Sequence, residues 1–108
     1  MARLQAKWME DKVLRIDIAA TQTANFNAAS GNMYPVSPAG ASVDVTLPAP
    51  SAGAHIWIKD VSNDLPNKTI NIVRNGTENI DGVAANIEVE SNYETVKLVS
   101  NGTDWFRV

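Results

Sequence analysis

The stretch that decides the fold is Lys68-Thr-Ile-Asn-Ile-Val-Arg-Asn-Gly-Thr-Glu-Asn-Ile-Asp-Gly82, followed by Ile87-Glu-Val-Glu90 and by Tyr93-Glu-Thr-Val-Lys-Leu-Val-Ser-Asn-Gly-Thr-Asp-Trp-Phe-Arg-Val108. Apolar and polar residues alternate within each run: Ile70 and Ile72, Ile87 and Val89, Val96 and Leu98, Phe106 and Val108. A period of two marks strands that bury one face only. Asn75-Gly76, Asp81-Gly82 and Asn101-Gly102 punctuate the runs. These pairs tolerate the positive φ of tight hairpin turns. The spacing predicts an antiparallel meander with one apolar and one wet face.

Upstream, the same period recurs. Val13–Ala19 places Leu14, Ile16 and Ile18 on one face and Val13, Arg15 and Asp17 on the other. Short strands are expected near Ala24–Asn27 and Met33–Pro38. Pro35 and Pro38 remove ladder donors, so the second of these should lie at a sheet edge. Ser42–Leu47 puts Val43, Val45 and Leu47 inward, and Ala54–Lys59 puts Ile56 and Ile58 inward. Loops are expected at Pro48–Gly53 and Asp60–Asn67. Roughly eight short strands with regular turn signals describe an all-β domain, a small antiparallel β-sandwich or jelly-roll-like barrel. The expected core is Leu14, Ile16, Val43, Val45, Leu47, Ile56, Ile58, Ile70, Ile72, Val96, Leu98 and Phe106.

Residues 1–12 differ. They hold good helix formers and neither Gly nor Pro, and Leu4 and Trp8 would share a helix face. The segment is short for an isolated helix. Two readings stand: a frayed terminus, or an arm that orders against a partner through Leu4, Trp8 and Met9. The division is thus an arm over 1–12 and a β-domain over 13–108.

The chain has 108 residues, enough for one domain, with 44% hydrophobic and 19% charged residues. A net charge of −3 disfavours a nucleic-acid partner, which calls for a basic face. Cysteine is absent, so neither disulfides nor thiolate chemistry are available. No apolar run reaches the ~20 residues of a membrane span, and the first residues lack a signal-peptide core. Cytoplasmic assembly is the expectation, with no membrane partner.

Catalytic chemistry finds no foothold. His55 is the single histidine, which leaves no triad and no histidine-based zinc site. The carboxylates are scattered, and Glu88 and Glu90 read as a solvated strand face rather than a glycosidase pair. Asn67, Asn75 and Asn101 head sequons but read as turn residues. No phosphate-binding loop occurs. No catalytic, cofactor or metal residue is therefore nominated. By alternation Trp57 points away from Ile56 and Ile58, and Trp105 away from Phe106 and Val108. Outward tryptophans need cover, either from a second buried face or from another subunit.

Val43-Asp-Val-Thr-Leu-Pro-Ala-Pro-Ser-Ala-Gly53, His55-Ile-Trp-Ile-Lys-Asp60, Ile70-Asn-Ile72, Gly76-Thr-Glu-Asn-Ile-Asp-Gly82 and Tyr93-Glu-Thr-Val-Lys-Leu-Val-Ser-Asn-Gly-Thr-Asp-Trp105 together resemble a β-module of tailed-bacteriophage virion proteins. That module occurs in tail fibres, tailspikes and small head decoration (cement) proteins. The resemblance covers about Val13–Val108. It implies a non-enzymatic homotrimer that resides in the virion. Fibre modules usually lie within long chains, and residues 1–12 could not form a fibre shaft. A decoration protein that clamps the major capsid protein is the leading expectation, with Leu4, Trp8, Met9 and Trp57 as partner-binding residues. The alternative is a fibre or baseplate adhesin whose Tyr34 or Trp57 stacks on host surface glycan.

Overall fold

Ile56 and Ile58 are fully buried, while His55, Trp57 and Lys59 between them are half-exposed. The same alternation runs through every long strand of the structure, a computed structural model that describes residues 15–108. The strands are β1 (Asp17–Ile18), β2 (Phe26–Asn27), β3 (Asn32–Val36), β4 (Ser42–Thr46), β5 (His55–Asp60), β6 (Thr69–Val73), β7 (Ile87–Glu88), β8 (Thr95–Ser100) and β9 (Trp105–Arg107). No helix occurs among the described residues. A five-stranded sheet has the order β1-β3-β5-β8-β9, and a four-stranded sheet the order β2-β4-β6-β7. Their inner faces share one core, built from Val36, Ile56, Ile58, Val96 and Leu98 on one side and Val43, Val45, Ile70, Ile72 and Val89 on the other. The fold is therefore all-β, as expected.

Strand direction is a correction. From β1 to β6 the chain alternates between sheets, so neighbours within a sheet lie two strands apart. They run parallel: β1 with β3, β3 with β5, β2 with β4, and β4 with β6. Only the last pairings, β6–β7, β5–β8 and β8–β9, are antiparallel. Both sheets are mixed, not antiparallel. Parallel neighbours need a crossover connection, which is usually a helix. Here a strand of the opposite sheet supplies it, so no helical segment announced the crossover in the sequence.

Pro35 corrects a second expectation, because β3 lies between β1 and β5 rather than at an edge. Its ladder groups face the β1 side, where its carbonyl accepts from Gln22 N–H (2.8 Å). There β1 pairs only with Asn32 and Met33, so the missing donor breaks no strand pairing.

The C-terminal hairpin reverses an assignment. Ser100 pairs with Trp105 and Val99 with Phe106. Ser100 is buried, so Trp105 is buried with it, and Phe106 faces out with 39% exposure. The loop Asn101–Asp104 sets this parity, which alternation inside Trp105–Val108 leaves free. Ile16 is only half-buried and Ile18 is exposed. Ile18 ends the two-residue edge strand and Ile16 precedes it, so among the described residues little covers them. Leu14, the other early core candidate, lies outside the described residues.

Asp81-Gly82 forms the expected turn. Both residues have positive φ (51° and 76°), and Ile80 and Val83 exchange N–H···O bonds of 3.0 Å. This turn also covers the outer edge of β9: Trp105 N–H donates to Asn79 O (3.0 Å) and Asp81 N–H to Trp105 O (2.9 Å). Asn75-Gly76 behaves differently. Neither residue has positive φ; the Glu78 carboxylate accepts from both N–H groups (2.7 and 2.8 Å).

Candidate functional site

The outer faces of the two sheets differ in kind. On the five-stranded sheet, Ile18, Met33, Trp57 and Lys97 stand in one cross-strand row. Val108 extends it, because its N–H donates to Lys97 O (3.0 Å). Pro35, Lys59 and Thr95 form the row on one side, and His55, Val99 and Phe106 the row on the other. Ile18 is 74% exposed and Val108 76%. Between these two edge positions Met33 and Trp57 are half-buried, and apolar side chains grouped on an outer sheet face mark a candidate binding surface.

Two lysines are held over aromatic rings on this side. Lys97 Nζ lies 4.5 Å from the Trp57 ring centroid. Lys59 Nζ lies 6.0 Å from the Tyr93 ring centroid and donates to Tyr93 O (2.6 Å). Such cation–π contacts are worth roughly 0.5–1 kcal/mol when exposed. Their larger effect is positional, because they fix two flexible ammonium groups against the face. His55 Nε2 sits 2.8 Å from Arg15 O, which ties the start of the described chain to the same side.

The outer face of the four-stranded sheet is polar. Asp44, Asn71 and Glu88 form one row, with Asn71 Nδ2 donating to Asp44 Oδ1 (2.9 Å). Thr46 and Val73 pair beside it, as do Ser42 and Thr69. The outward rows of this sheet carry Asp44 and Glu88, and those of the other carry Lys59 and Lys97.

At one end of the domain both Asn-Gly-Thr turns border an open cleft of about 470 Å³, lined by Pro50, Thr77, Glu78, Thr103 and Asp104 among others. Its carboxylates are occupied in holding turns: Glu78 as above, and Asp104 by accepting from Asn79 N–H (2.9 Å). No aromatic side chain lines it. Among the described residues no group of three or more His, Cys, Asp or Glu side chains is placed to hold a metal ion.

Asp60 is fully buried at the end of β5. Burial alone would raise its pKa. The hydrogen bonds from the Ser62 hydroxyl and from the N–H groups of Tyr93, Ser62 and Asn63 outweigh it and hold the carboxyl below its ordinary value. Asn63 and Tyr93 are non-glycine residues with positive φ (54° and 61°). Their N–H groups donate to Asp60 Oδ2 at 3.2 and 2.9 Å. One carboxylate thus secures two strained turns, and the second carries Tyr93 to the lysine face.

Of the residues singled out from sequence, Trp57 stands on the outer face as expected. Leu4, Trp8 and Met9 lie outside the described residues. Tyr34 is buried, its ring 4.9 Å from Phe26 and its hydroxyl accepting from Ala29 N–H (2.8 Å). That removes it as a glycan-stacking residue. Trp105 is likewise buried, not outward. Sequence reasoning missed Ile18, Lys97, Phe106 and Val108 as members of this face. Alternation groups Trp57 with Lys59, but the Trp57–Lys97 pairing arises only from the register of β5 against β8.

No protein-family model matches this chain, and no curated protein matches it.

Proposed function

We propose that this chain is a structural protein of a tailed-phage virion, a head decoration protein that binds rather than catalyses. The observation that carries the reading is the outer face of the five-stranded sheet, an apolar row with Trp57 at its centre and fixed lysines beside it. The motif resemblance over Val13–Val108 supports the same reading. In this proposal the β-domain assembles as a homotrimer and sits on the major capsid protein. Residues 1–12 act as an arm, with Leu4, Trp8 and Met9 as contacts. Binding to the closed shell but not to the opened one would stabilise the shell by linkage.

The adhesin reading is weaker. Trp57 is the one outward aromatic nominated for stacking on glycan, and the Lys97 ammonium already lies over its ring.

The test is stoichiometry in the parent virion. A copy number that matches the capsid lattice supports decoration. A few copies per particle would move the protein to the tail, and absence from the particle would refute the proposal. Deleting residues 1–12 is expected to abolish capsid binding while the domain stays folded; retained binding would refute the arm.

A further inference from the structure

We infer that the outer face of the five-stranded sheet is the shell-facing surface, and that its footprint on the shell is an apolar protein surface edged with carboxylates. This rests on the decoration reading and assigns its contact.

The argument is one of complementarity. The chain carries a net charge of −3, yet the charged side chains in the three outward rows of this sheet are Lys59 and Lys97. Around them stand Ile18, Met33, Trp57, Phe106 and Val108. A partner must cover apolar area and supply negative charge together. Neither sheet face of a second copy offers this combination. Its identical face would set lysine against lysine. The outer face of its four-stranded sheet supplies Asp44 and Glu88, but amid Thr46, Asn71 and Thr69. With both sheet faces of a second copy unsuited, the complement assigned to this face is a surface of a different protein.

Lys97 is placed for this role. Its ammonium lies over Trp57, in the middle of the apolar row, so a partner carboxylate that reaches it is enclosed as the row is covered. A charge pair shielded from water in this way discriminates strongly against a wrong partner. Trp57 beneath it has the burial and rigidity of an anchor residue.

The experiment uses capsids of the parent phage assembled without this chain, and the full-length chain with its variants Trp57→Ala and Lys97→Glu. A double variant, Asp44→Asn with Glu88→Gln, serves as the control on the opposite face. Circular dichroism checks folding, and co-sedimentation measures binding. Wild type and the control should bind alike. Trp57→Ala should bind at least ~10-fold more weakly and Lys97→Glu ~100-fold more weakly, the range for a central anchor and a reversed interfacial charge. Folded variants that bind like wild type would overturn the assignment and leave the decoration reading intact. Failure of the wild type to bind any capsid would overturn both. Sedimentation velocity of the free proteins closes the remaining routes. If Trp57→Ala or Lys97→Glu dissociates an oligomer of the chain, the face belongs to a second copy and the inference falls. If deletion of residues 1–12 leaves capsid binding intact but newly exposes Trp57 to a quencher, the chain's own terminus covers the face, and the inference falls again.

Discussion

Replacing Asp60 by Asn tests whether one carboxylate holds two turns. Oδ1 accepts from the Ser62 N–H (2.9 Å) and the Ser62 hydroxyl; Oδ2 accepts from Asn63 N–H (3.2 Å) and Tyr93 N–H (2.9 Å). An amide has one oxygen. In its better orientation that oxygen stays with Asn63 and Tyr93, and the NH₂ donates to the Ser62 hydroxyl. The Ser62 N–H then loses its acceptor, which costs about 1–3 kcal/mol. The two remaining backbone bonds lose their charge assistance, about another 1 kcal/mol together. The expected loss is about 2–4 kcal/mol, a large share of the ~5–15 kcal/mol of a small domain.

Urea unfolding near pH 7 and near pH 2.5 measures it. The carboxyl's folded pKa lies below its ordinary value of 3.8. Its stabilisation is therefore present above that value and lost as pH falls through the folded pKa. The gap between wild type and Asp60→Asn should narrow on acidification. A gap under ~0.5 kcal/mol near neutrality, or one of equal size at both pH values, would refute the reasoning.

Other substitutions probe the frame. Trp105→Ala removes a fully buried side chain and should cost about 3–5 kcal/mol in denaturant unfolding. Phe106→Ala, on the outward side of the same strand, should cost far less. Gly82→Ala forces a side chain into φ +76° and should cost about 1–2 kcal/mol, read as a fall of several degrees in Tm. Val45→Asp buries an unpaired charge at a position with no exposure and should leave no cooperative unfolding transition by circular dichroism.

Local patterning determined much of this protein. Side-chain parity along Val43–Leu47, Ile56–Ile58, Ile70–Ile72 and Val96–Leu98 identified buried positions, because alternation is a property of the extended backbone itself. Asp81-Gly82 announced its turn for a similarly local reason: its residues tolerate positive φ. Tertiary structure decided what depends on residues far apart in the chain. Parity is the same in parallel and antiparallel strands, so the mixed sheets had no signature in the alternation. The length of the Asn101–Asp104 loop, not the pattern after it, sent Trp105 inward and Phe106 out. Asp60 looked like a loop residue until Tyr93 N–H arrived at its carboxylate from across the fold. The candidate face arises the same way: Ile18, Met33, Trp57 and Lys97 come from four strands, and only sheet register aligns them.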